Sequence, residues 1–314
     1  MDRRENTWVS CYIYTDVELN DVINKLVRSI VEELKERKEI ESFFFIRYWE
    51  GGPHVRLRLK SNKDTSIYSI RSYIQDRVSD YFRSNKTTYR LEFNKYIRET
   101  ERYGGDDAML LSENQFQQSS EYLLSTLSTN ENWSYSIGIG EALKLHLILI
   151  ATFFKGDKDE VLDFLNFYIN NWLPHSVKKV DDQVTETEIG KLFNFYEKSY
   201  DKQKETLNQI VDILLNDKYK DPDLIKWRAY SENLRADVFK LIEKDMMHKP
   251  SWINYGSGSS ITIKNQILWP WLDSLIHMTN NRLGIHLRDE AFIGFLMKKS
   301  FDYQMKRANK FTNA

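Results

Sequence analysis

Three groups of residues have the types and spacing that chemistry needs. His54, Arg56 and Arg58 alternate in HVRLR, directly after a Gly-Gly-Pro turn. Residues i, i+2 and i+4 of a strand share a face, so the spacing predicts one imidazole and two guanidiniums side by side. A solvated strand face mixes charges and a core face carries none, yet no acidic residue interrupts this one. Guanidinium forks suit carboxylate or phosphate, so the predicted chemistry is anion binding. Arg47 lies on the preceding strand of the same hairpin. The competing reading is an exposed polar face near a sheet edge.

The second group is YIRETERYGG, residues 96–105, in which Glu99 and Glu101 alternate with Arg98 and Arg102 and Tyr103 precedes two glycines. Such a segment either closes on the surface with weak ion pairs or sets Glu99 and Arg102 where the glutamate orients an arginine or shuttles a proton. The third is WLDSLIHMTNNRLGI, residues 271–285. Leu272, Leu275, Ile276, Met278 and Leu283 form an apolar stripe, with His277 beside it and Asn281 four residues on. A core-edge histidine satisfied by one hydrogen bond is the ordinary reading, but an imidazole near an amide also suits acid/base work near neutral pH.

The elements that must position these groups follow from periodicity. TWVSCYIYT (7–15), SFFFIRYW (42–49) and HVRLRLK (54–60) read as strands, and 88–97 as a fourth extended segment. Helical spacing runs from Val17 to Leu34 and from Ile67 to Phe82. The order β-α-β-β-α-β predicts a ferredoxin-like antiparallel sheet with two helices on one face. Beyond about residue 106 the period is helical, with helices expected near 107–128, 137–155, 158–173, 187–216, 222–246 and 264–300. The expected class is α+β, with a sheet part at 1–106 and a helical part at 107–314, either two domains or one whose helices complete the sheet's core, expected to form one compact functional unit with a cleft between the parts. Tyr48, Trp49, Tyr103 and Trp252 are candidates to line that cleft, although for each taken alone ordinary aromatic core is the more common role. The Gly/Ser-rich stretch 248–262 embeds Trp252 and Tyr255 and either covers a site or merely connects.

Composition narrows the function classes. With 45 Lys and Arg against 46 Asp and Glu, the 314-residue chain has a formal charge of -1, which argues against direct nucleic-acid binding. Cys11 is the only cysteine, so no internal disulfide is possible. It falls in an apolar strand pattern and reads as a small core residue. The N-terminus shows no signal-peptide core, and the apolar run from Ala142 to Phe154 is too short to span a bilayer of about 20 residues. A cytoplasmic protein without a transmembrane segment is expected. Metal spacings, a P-loop, a GxGxxG fingerprint and a GxSxG elbow are absent, so no cofactor is implied. His146, on an apolar helix, reads as structural.

Taken together, FFFIRYWEGGPHVRLR (43–58), RETERYGG (98–105) and IHMTNNRL (276–283) resemble the C-terminal domain of lanthipeptide dehydratases, which also occurs alone in thiopeptide pathways. The resemblance implies elimination of glutamate from glutamylated Ser or Thr of a precursor peptide, leaving dehydroalanine or dehydrobutyrine. Its catalytic residues would be Arg56 or Arg58, Glu99, Arg102 and His277, with Glu99 orienting or assisting the histidine. Arg47, His54, Tyr103, Asn281 and Arg282 would bind substrate. The implied partners are the precursor peptide, a separate glutamyl-tRNA-dependent glutamylation protein and a possible cyclase complex. Two alternatives stand beside this reading. One is a pyridine synthase joining two dehydroalanines by [4+2] cycloaddition with leader release. The other is a non-catalytic scaffold that binds the leader peptide at an exposed sheet edge.

Overall fold

A computed structural model describes residues 7–130, 132–178, 185–253 and 260–312, with side chains as far as residue 308. Tyr255 lies outside the described residues. Residue contacts divide the chain into two compact units, 1–133 and 134–314.

The first unit is built on strands β1 (Trp8–Thr15), β2 (Ile40–Tyr48), β3 (His54–Ser61) and β4 (Tyr89–Phe93). Their order is β2-β3-β1-β4, with each neighbouring pair antiparallel. This is the expected ferredoxin-like arrangement. Period-2 alternation turns Val9, Cys11, Ile13, Phe43, Phe45, Val55, Leu57 and Leu59 inward. The first crossover starts as α1 (Leu19–Asp21), passes through a π-helical stretch (Val22–Val27) and continues as α2 (Arg28–Glu36). The second is α3 (Ile67–Asn85), with Ile70, Ile74, Val78 and Phe82 fully buried along one stripe. Burial pushes the Cys11 thiol up to about 12, so it stays protonated and packs as a small apolar group.

The expected break at 106 moves to 133, because α4 (Asp106–Thr129) packs along β2. Phe116 meets Phe44, and the Ser120 hydroxyl accepts the Phe45 backbone N–H at 3.3 Å. Asn24 and Arg28 donate to the Leu127 and Leu124 carbonyls. The extended segment expected at 88–97 ends early. Residues 94–99 have no regular structure, and Tyr96 turns in to pack edge-on against Trp8 and Phe44.

The second unit contains α5 (Tyr135–Phe153), α6 (Lys158–Ser176), α7 (Glu186–Leu215), α8 (Pro222–Glu243), α9 (Ile263–Leu283) and α10 (Leu287–Thr312). Ser134, Asp157, Thr185, Asp221 and Thr262 cap the starts of the first five by accepting first-turn N–H groups. By length and composition α5 could cross a membrane, but 72% of its apolar window is buried within the protein. Trp227 and Arg235 of α8 donate to its Leu145 and Phe153 carbonyls. The single helix expected over 264–300 is two. Gly284 takes a left-handed conformation (φ 81°) that ends α9, and its N–H bonds to Asn281. Gly294 lets α10 close on α6: a Cβ there would stand 2.8 Å from Tyr168 Cδ1.

Candidate functional site

The β3 register sets the first group. On the sheet face away from the inward apolar rows, His54 lies between Tyr48 and Tyr14, Arg56 between Ile46 and Tyr12, and Arg58 between Phe44 and Ser10. The three expected side chains therefore share one face. Gly51 and Gly52, with φ of 76° and 109°, form the turn that ordinary residues would strain to make. The Gly52 carbonyl accepts from His54 Nδ1 at 2.8 Å, and His54 Nε2 accepts from Arg56 Nε at 3.0 Å. That pair of bonds fixes a neutral imidazole, and burial lowers its pKa further. His54 thus aims Arg56. The Arg56 guanidinium lies 3.4 Å from the Tyr48 ring centroid and 4.5 Å from that of Tyr12.

Arg58 is held differently. It is 8% exposed and sits over the Tyr96 ring at 4.8 Å and the Phe44 ring at 5.4 Å. Its Nε is buried without a hydrogen bond, and among the described residues it has no ion pair. Burial pulls its pKa down and the neighbouring Arg56 adds to this, with the phenol groups of Tyr96 and Tyr12 and the charge of Glu99 opposing. Ring faces attract a cation but supply no counter-charge, so the box is electrostatically incomplete.

Arg47 does not join this face. It pairs with Val55, so alternation turns it to the helix side. There it donates to Asn20 Oδ1 at 2.6 Å, and burial lowers its pKa to about 10.

In the 96–105 segment, Arg98 makes the strong ion pair, donating from Nε to Glu113 at 2.8 Å and from Nη2 at 3.1 Å. Tyr96 donates to the same carboxylate at 2.9 Å. Glu99 and Arg102 form a loose, half-exposed pair at 3.8 Å, so both keep hydrogen-bonding capacity. Tyr103 is buried edge-on against Phe116; it is packing rather than an accessible substrate contact.

The third group lies within the second unit. His277 Nδ1 donates to Glu290 Oε1 at 2.7 Å, and its ring stacks on Trp172 at 4.6 Å. Glu290, 1% exposed, also accepts from Tyr168 Oη at 3.0 Å and Asn280 Nδ2 at 3.1 Å. Asn280 Oδ1 in turn accepts from His146 Nε2 at 2.7 Å. Burial lowers the His146 pKa to about 4, which keeps that ring neutral and structural, as expected. With its Nδ1 proton fixed by a carboxylate, the partly exposed His277 presents an Nε2 lone pair, the arrangement of a general base. The carboxylate bonded to His277 is Glu290, from the next helix of the same unit. The network amide is Asn280, not Asn281, whose carbonyl closes the helix end. Arg282 is fully buried and donates to the Met278 carbonyl at 2.6 Å. Asn280 could have been found at i+3 from His277. Glu290 could not, since it arrives from the next helix. Among the described residues no cluster of His, Cys, Asp and Glu could hold a metal.

A ferredoxin-like sheet bearing an arginine face, followed by a helical unit bearing an oriented histidine, defines a class of two-unit α+β proteins. Within it, this chain matches the C-terminal part of lantibiotic biosynthesis dehydratases over residues 8–301 and belongs to that family. It is 24% identical over 311 residues to the nisin biosynthesis protein NisB of Lactococcus lactis subsp. lactis, covering 96% of this chain and 26% of NisB. The chain therefore spans about a quarter of that relative's length. The solved tRNA-dependent lantibiotic dehydratase MibB of Microbispora sp. 107891 superposes with a TM-score of 0.66 at 17% identity, over 98% of this chain and 29% of MibB. TbtD, a pyridine synthase from thiomuracin biosynthesis, superposes with a TM-score of 0.70 at 12% identity, over 94% of this chain and 97% of TbtD.

Proposed function

We propose that this chain eliminates glutamate from glutamylated Ser or Thr residues of a precursor peptide. The observation that carries the reading is Arg58, a buried cation in an aromatic box with no ion-pair partner among the described residues. A permanent partner would have quenched it; a carboxylate-bearing substrate would complete it.

The reaction breaks the Cα–H bond and the Cβ–O ester bond and forms Cα=Cβ. His277 Nε2 takes the α-proton while Glu290 steadies the imidazolium that results. The electron pair of the C–O bond leaves with glutamate as a carboxylate. Arg56, Arg58 and Arg102 balance the charge that builds on the peptide carbonyl and on the departing glutamate, and Glu99 positions Arg102. The substrate ester must come from a glutamylating activity, which makes that activity and the precursor peptide the expected partners in the cytoplasm.

The fold likeness to TbtD sustains a second reading, cycloaddition of two dehydroalanines. One experiment separates the two. Purified protein is incubated with a peptide carrying a glutamyl-serine ester and followed by mass spectrometry. Release of glutamic acid with a dehydroalanine product is expected. An unchanged ester, together with cyclisation of a peptide bearing two dehydroalanines, would overturn the elimination reading.

A further inference from the structure

Twelve residues before His277, the same seam of the second unit opens on a cavity of about 660 Å3 between α6 and the first half of α9. Ligand pockets usually measure about 300–1,000 Å3. Asn265, Trp269, Asp273 and His277 follow one another at i, i+4 spacing and so share a helix face. Asp273 is satisfied, accepting from Trp172 Nε1 at 2.8 Å and Asn171 Nδ2 at 3.0 Å. The two residues above it are not. Asn265 Oδ1 and Trp269 Nε1 are buried without hydrogen-bond partners, on side chains of residues that are 8% and 6% exposed. Both residues line the cavity. Buried polar groups are ordinarily paired, so one missing acceptor and one missing donor mark a place for a ligand that brings both.

The remaining walls narrow its chemistry. Phe167 packs 5.6 Å from the Trp269 ring and gives an aromatic floor. Glu160 at the rim is already paired with Lys264 at 3.1 Å. Asp163 has no ion pair among the described residues, so the cavity keeps an unmatched negative charge and disfavours an anion.

We propose that this cavity is a subsite for an extended peptide segment bearing a lysine or arginine. A peptide carbonyl takes the Trp269 indole N–H, a peptide N–H is taken by Asn265 Oδ1, and the cationic side chain lies over the rings toward Asp163. Its register rests on the proposed reaction. From Asn265 to His277 the helix rises about 18 Å at 1.5 Å per residue. An extended chain covers that in about five or six residues, so the cationic residue belongs that far from the reacting ester.

The test uses the full chain with 15N-labelled tryptophan, the Trp269 indole signal being assigned by its loss in Trp269→Phe. The probe is a blocked hexapeptide of alanines with one central lysine; its counterpart carries glutamate instead. A saturable shift of the Trp269 signal with the lysine peptide alone is expected. Asp163→Asn should raise its Kd about fivefold, as for one partly exposed ion pair, and Asn265→Ala should weaken it further. No shift, or an equal shift with the glutamate peptide, would overturn the subsite. The readout needs no turnover, so a shift without elimination would remove only the catalytic reading. Elimination whose KM ignores a lysine five or six residues from the ester, with no shift, would remove only the subsite.

Discussion

Arg58 and His277 are both enclosed polar groups, yet their surroundings are built on opposite principles. Arg58 leans on two rings and, among the described residues, has no carboxylate within ion-pair reach. The His277 side is closed: Glu290 accepts from three donors, and Asn280 links it to His146. An unfinished arrangement leaves room for an outside anion at the expense of stability. A finished one holds a ring in a single tautomer and stabilises the fold. The difference predicts that substitutions in the two places separate function from stability.

The largest effects should fall on turnover. His277→Ala should lower glutamate release by about 10²–10⁴-fold, and Arg58→Met by about 10²–10³-fold, both read by mass spectrometry of the glutamylated peptide. Unfolding in urea then sharpens the contrast. Glu290→Ala strands three donors and should destabilise by about 2–4 kcal/mol. Arg58→Met replaces an uncompensated buried cation with an apolar chain and should be neutral or stabilising. Equal losses in the two variants would break the comparison.

Acid should act in the same direction as Glu290→Ala. The buried His146 stays neutral down to about 4, whereas in the unfolded chain it takes a proton near pH 6.5. Between those values only the unfolded chain binds the proton, so stability falls as pH drops, by on the order of 3 kcal/mol in total. His54, also lowered by burial, adds to the same slope. Replacing His146 with Gln should flatten that slope in a series of melts at stepped pH. The smallest effect on turnover is expected from Gly294→Ala. Its new methyl would press on Tyr168 and Ile169 and should cost about 1–3 kcal/mol, with glutamate release reduced only as far as Tyr168 disturbs Glu290.

The sheet and its arginine face were legible because a period of two leaves little freedom once one residue's side is known. The side taken by Arg47 needs the register: with Tyr48 opposite His54, parity sends Arg47 to the other face. The helical half was legible element by element, except where Gly284 breaks the last long helix. The partners of His277 were not, because a helix pattern shows which face is apolar without showing which polar group a neighbouring helix will bring. Arg98 and Tyr103 lay in a charged, glycine-ended segment that read as a site. Packing committed them instead, one to Glu113 and the other to Phe116.

The Ser120 hydroxyl under the Phe45 amide bears on association as well as on packing. β2 contains Phe43, Phe44 and Phe45 in succession, the kind of strand that recruits other chains when its edge is free. A helix of the same unit lies against that edge and its Ser120 hydroxyl already takes the Phe45 N–H, which disfavours a fifth strand beside β2, whether from a second copy of the chain or from an extended leader peptide. The other edge strand, β4, is five residues long and bears the Arg90–Glu92 ion pair, so the phenylalanine-rich strand is the one its own unit guards.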